Sequence, residues 1–231
     1  MTIFTPESDE EAQDKQVAAM LGVSIDTVAA QRGALKQFDN AVGQKLWPSS
    51  EAFALALTSP TMSSIVKGCD VVEVGCGLGA VGIAAALAGA KSVLLTDFQP
   101  RSLELAQASA DANGVGDIVR TMLLDWTEPP PGLDATGGPP HGYDLVLGAD
   151  VLYDKELTTS LLDVVAAFLL EPKARDRSRP EPRGLLVDPP ARPCRSMLPG
   201  ACAERGLYWG GEAPMAEATQ ADTVLINILR G

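Results

Sequence analysis

Histidine and cysteine, which supply many hydrolytic and metal sites, are scarce in this sequence. Its single histidine, His141, lies in a Gly- and Pro-rich stretch, and the four cysteines, Cys69, Cys76, Cys194 and Cys202, form no C-x-x-C pair. The lack of a histidine at a strand end argues against Ser-His-Asp hydrolysis. The cysteine spacing argues against a zinc site and indicates the reduced thiols of an intracellular protein.

Positive charge and long apolar runs are also lacking. Lysine and arginine number 18 against 30 aspartates and glutamates, so the net charge is −12 and nucleic acid is a disfavoured partner. No uncharged apolar stretch reaches the length of about 18 residues that a membrane helix needs, and residues 1–16 are polar and acidic. We therefore expect no membrane span, no signal or transit peptide, and a cytoplasmic protein.

The chain does contain apolar residues in a regular order. Its 231 residues are 46% hydrophobic, which is enough for one large core. Residues 1–40 are predicted to be an N-terminal extension with a helix at 10–21, and residues 41–231 to be the main domain. From residue 70 onward, short β-branched runs alternate with Ala- and Leu-rich helical stretches, a pattern typical of a parallel sheet covered on both faces.

These runs predict a Rossmann-like, doubly wound α/β fold with seven strands. The predicted parallel strands lie at residues 70–74, 92–96, 118–124, 143–148 and 184–187, and a C-terminal strand at 222–229 pairs with an antiparallel edge strand at 207–211. The predicted crossover helices lie at residues 80–90, 100–113 and 157–170. Residues 128–142 and 171–183 are predicted to be surface loops.

Four acidic residues, Glu73, Asp97, Asp125 and Asp150, recur at intervals of 24 to 28 residues. A strand with its crossover helix and loops takes about 30 residues, so we expect these carboxylates near the carboxyl ends of four successive parallel strands. Ligands of open α/β sheets bind along that edge. The sequence therefore predicts a ligand with hydroxyl or cationic groups rather than a bare polyphosphate.

A glycine-rich loop follows the first predicted strand. The alternate glycines Gly75, Gly77 and Gly79 allow a tight turn and let a ligand approach the backbone closely. The spacing of Gly77, Gly79 and Gly82 also satisfies the dinucleotide fingerprint, with Asp97 about 20 residues on to bind a ribose. An NAD-binding site thus remains an alternative at this point.

Glu73, two positions before the first glycine, separates the two interpretations. The segment from residue 71 to Gly79 resembles the first motif of class I S-adenosylmethionine-dependent methyltransferases, in which that position is acidic, whereas in dinucleotide folds it is usually apolar. The resemblance implies that the backbone from Gly75 to Gly79 lines the methionine part of the cofactor and that Asp97 binds both ribose hydroxyls. A turn or helix-capping role for Asp97 is the structural alternative.

Three further segments narrow the resemblance: Trp47-Pro within residues 44–50, Leu-Asp125-Trp126, and Ala149-Asp150-x-x-Tyr153. Together they resemble the seven-strand protein-lysine methyltransferases called methyltransferase family 16. That resemblance implies that Trp47 closes over S-adenosylmethionine, that Gly75, Asp97, Trp126 and Ala149 contact it, and that Asp150 and Tyr153 form the acceptor end. Asp125, at the adenine position, could accept a hydrogen bond from the exocyclic amine, while Trp126 could equally be a core residue.

Methyl transfer needs a neutral amine as nucleophile, and free lysine has a pKa of about 10.4. No metal is required. Asp150 is predicted to hold the incoming ammonium, and Tyr153, on the same face of a predicted helical turn, to orient the nitrogen. The alternatives are that Asp150 caps the helix beginning near residue 154 and that Tyr153 is a half-buried core aromatic.

The sequence thus predicts an S-adenosylmethionine-dependent methyltransferase that modifies lysine on a protein partner, acting as a monomer. Methylation of a small molecule or an RNA base is the alternative within the fold. An NAD(P)-dependent oxidoreductase needs a pair such as Tyr-x-x-x-Lys, which is absent because Leu157 follows Tyr153 at that spacing. A catalytically silent binding module is a third possibility.

The run Asp188-Pro-Pro-Ala resembles an amide-methylating loop but is predicted to be a strand-ending turn.

Overall fold

The computed structural model describes residues 46–128, 142–169, 181–215 and 223–230, together with Lys15 and Pro139. The predicted helix at 10–21, the predicted boundary after residue 40 and His141 lie outside these residues. So do most of the two predicted loops at 128–142 and 171–183. The sheet that bears the acidic residues lies within the described part of the chain.

Two helices precede a regular alternation of strands and helices. In chain order the elements are α1 (Pro48–Leu57), α2 (Pro60–Val66), β1 (Asp70–Val74), α3 (Ala80–Leu87), β2 (Ser92–Asp97), α4 (Pro100–Ala112), β3 (Val119–Leu123), β4 (Leu145–Ala149), α5 (Lys155–Phe168), β5 (Arg183–Asp188), a 3-10 helix (Pro193–Met197), α6 (Leu198–Ala203), β6 (Leu207–Pro214) and β7 (Val224–Arg230).

The strands form one seven-stranded sheet in the order β3-β2-β1-β4-β5-β7-β6. The first five strands are parallel, β7 is antiparallel to β5, and β6 pairs antiparallel with β7 at the sheet edge. The predicted α/β class and the antiparallel edge strand are therefore confirmed. The strand order reverses between β1 and β4, and this is the point at which open α/β sheets bind ligands.

Each face of the sheet is covered by helices with different apolar surfaces. One core contains residues of α1, α3 and α4, and α3 contributes small buried residues that let it lie close to the strands. The other core contains α5, whose buried side chains Leu161, Val165 and Phe168 recur at helical spacing. Because both faces are covered, β1 and β4 are buried along their whole length.

Sequence periodicity did not predict four short elements. Helices α1, α2 and α6 and the 3-10 helix were not expected, and each has a proline at one of its first two positions. All four lie outside the alternation of strands and crossover helices from which the other helices were predicted. The predicted crossover helices are confirmed, although the first ends at Leu87 and the third begins at Lys155.

The described helices and cysteines bear on two of the sequence-based expectations. None of these helices combines the length and apolar character that crossing a bilayer requires. Cys69, Cys76, Cys194 and Cys202 are all free thiols, and all four are buried. The interpretation of the cysteines as the reduced thiols of an intracellular protein stays a prediction.

Candidate active site

A cavity of about 270 Å³ opens at the carboxyl ends of β1, β2, β3 and β4. Nine of the eleven predicted site residues line it: Trp47, Gly75, Gly77, Asp97, Asp125, Trp126, Ala149, Asp150 and Tyr153. Its volume is close to the lower end, about 300 Å³, of small-molecule sites. Residues separated by more than 100 positions in the sequence therefore meet at the point where the strand order reverses.

The glycine loop forms one wall of this cavity. Gly75, Gly77 and Gly79 all have positive φ angles, of 63°, 52° and 77°. A Cβ atom on Gly75 would lie 3.0 Å from Cζ2 of Trp126. Glycine is thus required both for the backbone conformation and for the close approach of the tryptophan. Gly79 lies at the start of α3 and is not part of the cavity lining.

Glu73 lies beneath the loop, away from the cavity. Its side chain is buried, and its Oε2 accepts a hydrogen bond of 2.7 Å from the backbone N–H of Gly82 in α3. Burial raises the pKa of this carboxyl to about 8. Glu73 therefore ties β1 to α3 and does not line the cavity, and a part in cofactor binding stays a prediction for this residue.

Asp97 ends β2 and faces both the loop and the cavity. Its Oδ2 accepts a hydrogen bond from the N–H of Gly77 at 2.9 Å, and its Oδ1 accepts one from the N–H of Gln99 at 2.9 Å. Burial raises the pKa of the carboxyl, while these backbone N–H groups oppose the shift. The bond to Gln99 is the predicted turn role, and it coexists with a position on the cavity wall.

An exposed carboxylate and an indole follow the third strand. The Oδ1 of Asp125 accepts hydrogen bonds from the N–H and the hydroxyl of Thr127, at 2.8 and 2.7 Å, which lower the pKa of the carboxyl. Trp126 packs partly against the core on the α5 side and also lines the cavity. Its contact with a cofactor stays a prediction. Phe98 also lines the cavity, and it is 59% exposed.

The fourth strand ends at Ala149, and the chain then turns sharply at Asp150. Asp150 has a φ of 58°, which is uncommon for a residue other than glycine. The predicted helical turn from Asp150 to Tyr153 is wrong, because this segment is irregular and α5 begins only at Lys155. The helix is capped by Asp154, whose Oδ1 accepts the N–H of Leu157 at 2.9 Å.

Asp150 and Tyr153 nevertheless both line the cavity. The side chain of Tyr153 is half exposed, at 48%, and is not a core residue. Partial burial and the nearby carboxylates of Asp97 and Asp154 raise the pKa of its phenol, so the hydroxyl stays protonated at neutral pH. The cavity lining thus carries a neutral phenol as well as the carboxyl groups of Asp97 and Asp150.

Two contacts of Asp150 were not predicted from the sequence. Its Oδ2 accepts the backbone N–H of Ser49 in the first turn of α1 at 3.4 Å, and its Oδ1 forms an ion pair with Arg192. Arg192 also approaches Asp188, the last residue of β5. The prediction that β5 ends at Asp188 in a turn is confirmed, but nothing in the sequence indicated that Arg192 returns to the fourth strand.

Phe98 was also not predicted as a site residue, although the sequence contained a signal for it. It directly follows Asp97, and an aromatic residue immediately after a strand-ending carboxylate is well placed to face the same ligand.

Within residues 46–128, 142–169, 181–215 and 223–230, no group of three or more His, Cys, Asp or Glu side chains is arranged to hold a metal ion.

Comparison with known proteins identifies relatives over the part of the chain that forms this cavity. A model of the lysine methyltransferase family matches residues 33–174. Protein N-lysine methyltransferase METTL21A of Danio rerio is 42% identical over 103 residues, which are 43% of this chain and 44% of the relative. The electron transfer flavoprotein beta subunit lysine methyltransferase of Danio rerio is 30% identical over 116 residues, 50% of this chain and 40% of the relative.

The fold has many solved counterparts. Magnesium protoporphyrin IX methyltransferase (ChlM) from Synechocystis PCC 6803, solved with bound SAM, matches with a TM-score of 0.57 and 17% identity over 87% of this chain and 97% of that chain. At this identity the likeness concerns the fold alone. The chain spans about half the length of the curated relatives it matches. Because the family model covers more than half of its residues, the chain belongs to the lysine methyltransferase family.

Proposed function

We propose that this protein is an S-adenosylmethionine-dependent methyltransferase that methylates lysine side chains of a protein substrate. One observation carries the proposal: the glycine loop, the buried carboxylate of Asp97, and the residues Asp150 and Tyr153 all line a single cavity. The family assignment gives the same chemistry. Residues 41–231 are the proposed catalytic domain.

The residues present fit the cofactor. The Asp97 carboxylate accepts backbone N–H groups of Gly77, Gln99 and Phe98, and a carboxylate has about four lone-pair sites, so it keeps acceptor capacity for a ribose diol. Both hydrogen bonds of Asp125 go to Oδ1, which leaves Oδ2 available to an exocyclic amine. Trp126 and Phe98 supply apolar surfaces for a flat ring, and Gly75 and Gly77 leave backbone space beside them. Trp47, which precedes α1, lines the same cavity.

When bound, S-adenosylmethionine supplies an electrophilic methyl group. The chain must then present an acceptor nitrogen with a free lone pair, held at a fixed position. The carboxylate of Asp150 attracts the ammonium form of lysine to the cavity, and the Tyr153 hydroxyl accepts a hydrogen bond from the nitrogen once it has lost a proton. Both residues line the same cavity, which supports this division of roles.

A protein partner and the cytoplasm are the proposed setting. The curated relatives are named as lysine methyltransferases of proteins, and the four free thiols suit a reducing compartment. The net charge of −12 favours a basic protein over a nucleic acid as acceptor. We propose that the chain acts as a monomer.

Calorimetric titration of the purified protein with S-adenosylhomocysteine tests the cofactor assignment, with NAD and NADP titrated in parallel. We expect binding of S-adenosylhomocysteine in the micromolar range and none of either dinucleotide. Binding of a dinucleotide alone would overturn the proposal, since the spacing of Gly77, Gly79 and Gly82 also suits such a ligand.

The acceptor is tested with tritiated S-adenosylmethionine and a heat-treated cell lysate. Acid hydrolysis of the labelled protein should yield methyl-lysine, and the label should survive nuclease treatment. Label that is lost with RNA, or that remains in the small-molecule fraction, would assign the enzyme to another substrate class.

A further inference from the structure

The Asp150 carboxylate is held from two sides by the protein itself. Its Oδ1 pairs with the Arg192 guanidinium, and its Oδ2 accepts the N–H of Ser49. Only 5% of the Asp150 side chain and 26% of the Arg192 side chain are exposed. The carboxylate predicted to attract the acceptor lysine therefore already has a cationic partner, largely shielded from water.

Arg192 reaches this position because it lies one turn beyond the end of β5. Its Nε is 3.5 Å from Oδ1 of Asp188, so one guanidinium lies between two carboxylates that come from neighbouring strands. A planar guanidinium suits this arrangement because its donors point in fixed, different directions. Arg192 thus links the chain after β4 to the chain after β5.

Asp188 holds the chain that follows β4 through backbone hydrogen bonds. It is completely buried, and its two carboxylate oxygens accept the backbone N–H groups of Val151 and Leu152 at 3.3 and 3.2 Å. The N–H of Asp150 itself donates to the carbonyl of Val187 at 2.9 Å. These bonds stabilise the left-handed conformation of Asp150, which costs energy in a residue with a side chain.

The charges make Arg192 necessary to this arrangement. Without it, the Asp150 and Asp188 carboxylates would face one another in a poorly hydrated site, and only backbone N–H groups would compensate them. An unpaired Asp150 would also bind a lysine ammonium more strongly, because no positive charge would compete for the carboxylate. Stronger binding of the ammonium opposes the loss of the proton that methyl transfer requires.

We infer that Arg192 is a positioning residue of the acceptor end: it holds the Asp150 carboxylate in place and neutralises it in part, so that Asp150 orients the acceptor nitrogen without trapping its ammonium form. This inference rests on the proposed function. Arg192 acts through Asp150, and the guanidinium is not itself part of the cavity lining.

The first test needs no acceptor. Thermal unfolding is compared for the wild type, Arg192→Gln, Asp150→Asn and the double variant. We expect Arg192→Gln to lower the unfolding midpoint and the added Asp150→Asn to recover part of that loss, because it removes the uncompensated charge. Arg205→Gln with Asp163→Asn is the matched control, since that pair is exposed at Asp163. Losses at Asp150 and Arg192 that simply add would overturn the inference.

The second test separates turnover from binding. With tritiated S-adenosylmethionine and heat-treated lysate as acceptor, Arg192→Gln should lower the saturated rate about tenfold without raising the half-saturating amount of lysate protein. Its affinity for S-adenosylhomocysteine should match the wild type, Arg192→Lys should recover part of the rate, and Arg205→Gln should behave as the wild type.

The results of the second test distinguish failure of the inference from failure of the proposed function. An unchanged rate for Arg192→Gln, or an equal loss in Arg205→Gln, overturns the inference, and so does a parallel loss of S-adenosylhomocysteine affinity. A wild-type protein that fails to bind S-adenosylhomocysteine overturns the proposed function instead. In that case the unfolding comparison still decides whether Arg192 compensates the charge of Asp150.

Discussion

Two buried carboxylates at the glycine loop, Glu73 and Asp97, have different neighbours and therefore different roles. Glu73 accepts a hydrogen bond from α3 and faces the protein interior, whereas Asp97 binds the loop at Gly77 and also borders the cavity. Burial raises the pKa of both groups, but only Asp97 is within reach of a ligand. Acidic residues with similar positions in the strands thus divide into one that shapes the loop and one that can bind.

Substitution of Asp97 and of Asp150 should separate cofactor affinity from turnover. Asp97→Ala removes two hydrogen bonds to a charged acceptor, worth about 1.5 kcal/mol each, so the Kd for S-adenosylhomocysteine should rise roughly 100-fold. Asp150→Asn should leave that Kd unchanged and lower the transfer rate, and asparagine tolerates the positive φ at this position. Calorimetry and label transfer measure the two effects. An equal loss of affinity in both variants would contradict the assigned roles.

At the scale of elements, the last glycine of the dinucleotide fingerprint acts through packing. Gly82 lies inside α3, where a Cβ atom would be 2.2 Å from Cδ2 of Leu95 and 2.8 Å from Oε2 of Glu73. The small surface of α3 lets it lie directly on β1 and β2. Gly82 is therefore needed for helix-to-strand contact, without any direct approach to a ligand.

Gly82→Ala and Gly200→Ala form a matched pair for this interpretation. Gly82→Ala should lower the free energy of unfolding by about 1–3 kcal/mol because the methyl group overpacks the core. Gly200→Ala should raise it by roughly 0.5–1 kcal/mol, since a Cβ there meets nothing within 4 Å and alanine favours the helix. Urea unfolding measures both. A stabilising Gly82→Ala would show that α3 does not need glycine.

At the scale of the whole molecule, stability should depend on pH through buried acids. The native pKa of Glu73 is raised from 4.5 to about 8, so between these values the folded chain holds a proton that the unfolded chain releases. The contribution of Glu73 is therefore fully present below pH 4.5 and is lost as the pH rises through 8.

Comparison with Glu73→Gln isolates this group, since the other titrations cancel in the difference. Relative to Glu73→Gln, the wild type should lose up to about 1.4 kcal/mol of unfolding free energy for each pH unit within that window. Urea unfolding at several pH values from 4.5 to 9 gives the difference. A difference that stays constant across the window would mean that Glu73 is ionised in the folded protein.

Much of the fold and of the cavity could be predicted from local patterns. The β-branched runs and the Ala-rich stretches reflect burial between two helical layers, so strands such as β1 and β2 were located nearly to the residue. The glycines and the strand-ending Asp97 lie close together in the sequence, so their shared site could be predicted. The proline-started helices such as α1 were missed because they lie outside the strand–helix alternation from which the crossover helices were predicted.

The sequence by itself determined the sheet, the loop and the acidic residues at its edge, because these depend on periodicity and on spacing within one strand–helix unit. Only the tertiary structure decided that Glu73 faces α3 while Asp97 faces the cavity, and that Arg192 pairs with a carboxylate 42 residues earlier. Such contacts depend on how neighbouring strands and helices pack, and local sequence patterns carry no record of which distant side chains then meet.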